Sequence, residues 1–169
     1  MIETDNIILD KAKFSDWKEM YYNVWSQPKS AEYMAWRITA NEEDAKIRMT
    51  KTIEYQKEHD TYLVYEKSSG KAIGFAGVEK IGPDVYQEAG ICLGPDYVNK
   101  GLGKQIVQGL IQYCRKEYNA AEFIYSTREE NKASNMLAIS CGFTIISSEP
   151  KTDRRDGHTY NLLKYSLRL

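Results

Sequence analysis

The stretch Asp96-Tyr97-Val98-Asn99-Lys100-Gly101-Leu102-Gly103-Lys104-Gln105 places two glycines, one residue apart, just ahead of a long amphipathic run. Glycines there let the backbone approach a ligand closely. The first turn of a helix carries unpaired N–H groups and the positive end of its dipole. Together they make a cradle for a phosphate or diphosphate, and Lys100 and Lys104 can add charge at its rim. Two common phosphate loops fail on their residues. A Walker A loop would need glycine at Val98 and serine or threonine at Gln105; a dinucleotide loop would need glycine at Ile106 and an earlier βαβ half. By itself, a Gly-x-Gly before a helix is equally a tight turn.

Other reactive side chains offer less. Cys92, Cys114 and Cys141 are widely spaced among apolar residues, with no C-x-x-C pair, and read as buried reduced thiols. His59 and His158 have no ligand spacing around them, so no metal site is expected. Lysines and arginines (23) balance aspartates and glutamates (24) and are spread along the chain, unlike the basic face of a nucleic-acid binder. The one cluster, Lys151-Thr152-Asp153-Arg154-Arg155, reads as a solvated hairpin loop. No apolar run reaches the length of a membrane span, and Met1-Ile2-Glu3-Thr4-Asp5 lacks the features of a secretory signal. A cytoplasmic protein of one domain, residues 1–169, with neither nucleic acid nor membrane as partner, is the expectation.

Patterning supplies the elements that must hold the glycine loop. Thr4 to Lys11 reads as a strand around Ile7-Ile8-Leu9. Ser15 can cap a helix with Trp17, Met20, Tyr21 and Val24 on one face, ending at Gln27-Pro28. Asn41 with Asp44 resembles a cap for a second long helix, whose inner side carries Ala45, Met49, Ile53 and Tyr55 and which ends near His59-Asp60. The period then shortens. Thr61–Glu66, Ala72–Glu79 and Val85–Leu93 read as a meander with turns at Ser68-Ser69-Gly70-Lys71 and Gly82-Pro83-Asp84. Gly101 to Lys116 is an amphipathic helix with Ile106, Val107, Leu110, Ile111 and Cys114 facing inward. Ala121–Thr127 is a strand and Ser134–Cys141 a short helix stopped by Gly142. Phe143–Ser148 and His158–Leu167 form a closing hairpin. The fold class is α+β, a mixed and mostly antiparallel sheet, with the unit Val85–Thr127 a crossover between parallel strands.

With the loop and elements in place, a second segment adds specificity: Glu130-Asn131-Lys132-Ala133-Ser134 opens the short helix, and Gly142-Phe143 follows it. Combined with Glu88-Ala89-Gly90 and Tyr97-Val98-Asn99-Lys100-Gly101-Leu102-Gly103, in this order and spacing, the chain resembles the GCN5-related N-acetyltransferase (GNAT) superfamily, and within it the RimJ/RimL-like branch. The resemblance covers nearly the whole chain, least closely in the N-terminal third. It implies a GNAT-type sheet of six to seven strands flanked by about four helices, with acetyl-coenzyme A as co-substrate. By the resemblance, Asn99, Lys100, Gly101, Leu102, Gly103 and Lys104 hold the coenzyme diphosphate through backbone amides, and the strand Gly90-Ile91-Cys92-Leu93 pairs with the pantetheine arm. Asn131 contacts that arm near the thioester. Val98 stands where the superfamily usually has Gln or Arg, a change that leaves a backbone cradle intact. Homodimers are frequent among such proteins.

The implied chemistry is direct attack of an amine, from a small molecule or a peptide N-terminus, on the thioester within a ternary complex. An alkylammonium has a pKa of roughly 10, so a proton must first be removed. Backbone N–H groups near Ile91-Cys92 can steady the oxyanion, and the leaving thiolate needs a proton. Glu88 matches a strand glutamate that serves as base in several relatives; its other reading is a surface carboxylate. The tyrosine that many relatives carry seven residues after the Asn is here Ala138. Ser134 matches a serine proposed as acid in the RimL-like branch and could equally cap the short helix; Tyr97 and Tyr125 are further candidates. Trp25, Glu32, Tyr33 and Trp36 are candidate lining of an acceptor pocket. The missing tyrosine leaves open an alternative of another class, a non-catalytic acetyl-coenzyme A sensor or interaction module.

Overall fold

A computed structural model describes all residues, 1–169. Strands β1 (Ile2–Glu3) and β2 (Ile7–Asp10) are followed by a short 3₁₀ turn, Phe14–Asp16, and the helical turn α1 (Trp17–Met20). A π-turn, Tyr21–Trp25, then leads to α2 (Pro28–Ala31) and the long α3 (Glu42–Gln56). The meander is β3 (Thr61–Glu66), β4 (Ala72–Gly82) and β5 (Val85–Leu93). After it come α4 (Leu102–Tyr118), β6 (Glu122–Arg128), α5 (Lys132–Ser140), β7 (Thr144–Thr152) and β8 (Thr159–Arg168). The strands form one sheet in the order β1-β2-β3-β4-β5-β6-β8-β7, and only β5–β6 is parallel.

The mixed, mostly antiparallel sheet is as expected, with eight strands instead of six to seven. The extra strand is β1, two residues long and too short to leave a period. The Gln105 side chain of α4 anchors the turn after it, accepting from the Thr4 hydroxyl and the Asn6 N–H. The first helix is not continuous, and Ser15 does not cap it. Asp16 accepts from the Lys13 N–H instead, and the π-turn swings Trp25 inward to 2% exposure. Met20 and Val24 are buried as the pattern required. Asn41 does cap α3, accepting from the Asp44 N–H at 2.9 Å. That helix stops at Gln56, short of His59, so Tyr55 is exposed and stacks on the His59 ring at 3.7 Å.

Apolar residues cover both faces of the sheet. On one side Ile106, Val107, Leu110 and Cys114 of α4 pack with Ala138 and Phe143 onto Tyr62, Val64, Ile73 and Phe123. On the other, Met20, Val24, Trp25, Ala45 and Met49 pack onto Leu63, Ala72 and Cys92. Neighbouring residues of β3 thus feed opposite cores, as alternation along a strand requires. Burying a large aliphatic side chain on either face contributes about 1.5–3 kcal/mol, which clamps the middle of the sheet between the helices.

Candidate active site

The parallel pairing of β5 with β6 lasts three residues, Val85↔Glu122, Tyr86↔Phe123 and Gln87↔Ile124. Beyond Gln87 the strands separate. On the other edge of β5 the register with β4 slips: Ala76 faces Ile91, but Val78 faces Glu88. Ala89 and Gly90 therefore stand opposite Gly77 alone, a β-bulge of the kind that re-aims side chains beside active sites. Gly90 has φ +94°, a conformation that L side chains rarely adopt.

The bulge directs the Glu88 side chain into the fork. Its carboxylate accepts from the Gly90 N–H at 2.7 Å and from the Ser126 N–H on β6 at 3.3 Å. Burial pushes the acid up to about 7, against the two amide donors, which act to lower it. The side chain, half-buried by surface area, thus lines the fork. The fork is a cavity of about 430 Å³, lined among others by Tyr33, Glu79, Glu88, Tyr125, Asn131 and Ser134. A second groove of about 300 Å³ continues from it along Ile91, Cys92, Leu93, Pro95 and Val98, sharing Tyr33, Met34, Ile91 and Asn131 with the fork.

The Gly94 N–H donates to Ile73 O. In a regular antiparallel ladder the bonded pairs alternate, so Cys92 turns its main chain toward β4, while the N–H and C=O of Ile91 and Leu93 face the groove. An extended arm lying there would find those groups ready to pair. The Cys92 thiol points instead into the core, donating to Ser30 O, and burial pushes it up to about 12.

At the end of that groove, α4 begins with Gly101 in the left-handed region at φ +75° and Asn99 at φ +60°. Gly101 has no side chain to cap the helix. The first carbonyl engaged is its own, which takes the Gln105 N–H. The amides from Asn99 to Lys104 are thus left without protein partners, and a Cβ on Gly101 would meet nothing within 4 Å. These residues fit a diphosphate: open donors at the positive end of a seventeen-residue helix. Lys100 leans over the Tyr97 ring.

Asn131, and not Ser134, caps α5: its side chain accepts from the Ser134 N–H at 3.1 Å. The Ser134 hydroxyl is thereby free to bond the Tyr125 hydroxyl at 2.8 Å, inside the fork. Burial holds Tyr125 well above the usual phenol range. Tyr97 does not line the fork, and Ala138 is fully buried in the core under α5, so the absent tyrosine leaves no hole in the site.

Of the candidate acceptor residues, Tyr33 lines the fork, Trp25 and Trp36 line a smaller adjoining cavity, and Glu32 lies outside both. The Lys151–Arg155 loop is more than solvated, because its central Asp153 is buried. Asp153 pairs with Arg128 of β6 at 2.6 Å and Arg155 at 2.8 Å. Arg155 in turn donates to Ala31 O and Glu32 O. The hairpin is thereby tied to α2 across the fork, and Arg128, Tyr160 and Glu79 join the lining. Sequence spacing gave no signal for these three: their contacts cross between elements far apart in the chain.

The comparisons with known proteins agree with this geometry. A family model described as an acetyltransferase (GNAT) domain matches residues 6–144. No curated relative matches by sequence. Among solved structures, a GNAT-family acetyltransferase from Bacillus anthracis superposes with TM-score 0.85 at 20% identity, over 99% of this chain and 97% of the other. The Salmonella typhimurium acetyltransferase that modifies the N-terminal serine of ribosomal protein L7/L12 gives 0.79 at 17%, over 98% and 96%. Spermidine N-acetyltransferase from Vibrio cholerae, solved with CoA and spermine, gives 0.78 at 14%, over 98% and 96%. No helix is long and apolar enough to cross a membrane. The chain belongs to the GNAT family of acetyl-coenzyme A-dependent N-acetyltransferases.

Proposed function

We propose that this chain moves an acetyl group from acetyl-coenzyme A to a primary amine, of a small molecule or a peptide N-terminus, by direct attack in a ternary complex. One observation carries the reading: a carboxylate poised near neutral pH at the apex of a strand fork, with an extended groove leading from it to free helix-start amides.

The amides of Asn99 to Lys104 hold the diphosphate, and the outward groups of Ile91 and Leu93 pair with the pantetheine arm. Asn131 uses its side-chain oxygen as a cap, which leaves its NH₂ for the arm where the two cavities meet. The thioester supplies an activated acetyl. Glu88 takes a proton from the incoming ammonium, directly or through water, and the Ile91 N–H faces the carbonyl oxygen as negative charge develops. Ser134, backed by the Tyr125 hydroxyl, gives a proton to the departing thiolate. A serine hydroxyl and a phenol held above its usual range are both weaker acids than a thiol of pKa about 8.5, so the pair works as a relay, Ser134 giving its proton and regaining one from water through Tyr125. The three unpaired cysteines suit the reducing cytoplasm, where we place the enzyme.

The test is release of free coenzyme A thiol from acetyl-coenzyme A across a panel of amines and peptides. Amine-dependent release supports the transferase. Micromolar coenzyme binding with no release from any amine would favour the sensor module instead.

A further inference from the structure

The smaller cavity beside the fork, about 200 Å³, shares Tyr55 and Ala89 with it. Its walls are Trp25, Trp36, Phe75 and Leu63, and one cation, Arg48 of α3. The Arg48 guanidinium lies between two indoles, 4.7 Å from the Trp25 ring and 4.6 Å from the Trp36 ring. Its one hydrogen bond goes to the Thr39 hydroxyl. No carboxylate pairs with it; burial lowers its pKa to about 10, and the only group pulling the other way is the Cys92 thiol. In the same wall the Trp36 Nε1 and the Thr61 hydroxyl are buried without any partner.

Arg48 is half-buried, and a guanidinium partly withdrawn from water with no counter-charge carries a cost that an anion would offset. Arg128 and Arg155, by contrast, both pair with the Asp153 carboxylate. Arg48 stands apart in keeping its donors for something else. Two indole faces pack against the guanidinium, whose planar fork matches carboxylate or phosphate geometry. The adjoining fork has the opposite character, since Glu79 and Glu88 line it and its one arginine is already paired. An ammonium is drawn to one end and an anion to the other.

We infer that the acceptor is a dipolar amine: its amino group enters the fork at Glu88, and an anionic group, carboxylate or phosphate, docks on Arg48 between Trp25 and Trp36. The inference rests on the transferase reading of the fork. A polyamine, cationic along its length, would put a positive charge against Arg48 and is disfavoured. The small volume suits a short chain such as an amino acid, a dipeptide or a phosphorylated amino-alcohol.

The experiment compares matched acceptors: dipeptides with their C-terminal amides, phosphoethanolamine with ethanolamine, and spermidine. Each is assayed by thiol release and by calorimetric binding to the coenzyme complex, with wild type and Arg48→Gln. Wild type should favour the anionic member of a pair by about 10- to 100-fold in kcat/KM, the worth of a charge-assisted hydrogen bond. Arg48→Gln should erase that preference through KM while acting on the neutral members as wild type does. The dipeptide and phosphoethanolamine arms tell carboxylate from phosphate. Equal losses for both members of each pair would mean that Arg48 only packs the indoles, and preference for spermidine would equally overturn the inference. If no amine is turned over, the transferase reading fails; binding then decides on Arg48 alone, and equal affinity for acid and amide refutes the anion site.

Discussion

Replacing Glu88 by glutamine keeps the size of the side chain and removes its charge. With the acid held at about 7, roughly a tenth of the enzyme carries the free carboxylate at pH 6, half at pH 7 and nine-tenths at pH 8. A positioned base contributes about 100- to 10,000-fold, so the variant should lose at least the lower figure in kcat at pH 8. The informative quantity is the shape of the pH profile on saturating amine. Wild-type kcat should rise about tenfold from pH 6 to pH 8 with its midpoint near 7 and then level off, whereas the variant, with no base to take the ammonium proton, should follow the free-amine fraction and rise about tenfold per pH unit throughout. The substitution has a structural cost too. Glutamine can accept from the Gly90 N–H but turns its own NH₂ toward the Ser126 N–H, leaving an amide unpaired at about 1–3 kcal/mol. Thermal melts and calorimetric titration with coenzyme A keep that cost apart from the chemistry. The same pH profile in both enzymes, or an unchanged rate, would remove Glu88 from proton transfer.

Ser134→Ala and Tyr125→Phe should each lower kcat by about 10- to 100-fold with coenzyme A affinity unchanged, and the double variant should be little worse than either, since the hydroxyls act as one unit; additive losses would separate them. Gly101→Ala puts a Cβ on a left-handed residue at a cost of about 1–2 kcal/mol in stability. Coenzyme A binding, followed by calorimetry, should weaken by more than that, because the Cβ enters the open space before the amides. Asp153→Asn leaves Arg128 and Arg155 facing each other with no anion. A lower melting temperature and a several-fold rise in amine KM are expected, with coenzyme A affinity retained, as steady-state kinetics on the two substrates would show.

Period and punctuation made most of the scaffold readable. Ile106, Val107, Leu110, Ile111 and Cys114 recur at helical spacing and are all buried; Asn41 and Asp44 announce the start of α3; the glycine pair marks the front of α4. What escaped was set by contacts across the fold. Ser15 looks like a cap, but the chain has already turned at Phe14, and Asp16 reaches back to the Lys13 N–H. Ser134 looks like a cap because it precedes an apolar run, yet Asn131 lies three residues back and reaches its N–H first. The π-turn has no letter code, and without it Trp25 would not face the Arg48 cavity. Asp153 and Arg155 read as parts of a solvated hairpin loop, and nothing marked Arg128 until β6 and the hairpin meet.

The fork shows how the carboxylate proposed as base also serves the architecture. Two strands that part inside a sheet expose amides on their facing edges, and a buried unpaired N–H costs about as much as a lost hydrogen bond. The bulge at Ala89-Gly90 solves this locally. The positive φ of Gly90 turns its N–H back toward residue 88, and the Glu88 carboxylate collects that amide together with the Ser126 amide on the far strand. The anion is the better acceptor for both, so the bonds that span the fork strengthen when Glu88 ionises. Yet the enclosure of the carboxylate within the fork raises the proton affinity of the group. The balance lands near neutrality because two amides offset only part of the desolvation. A glutamate here with no amides would stay protonated at physiological pH and could not act as a base. One exposed to water would titrate near 4.3 and accept a proton too weakly to be of use. On the proposed reading, opening the sheet for the coenzyme arm and tuning the base for the amine are one structural event, located in the three residues Glu88-Ala89-Gly90.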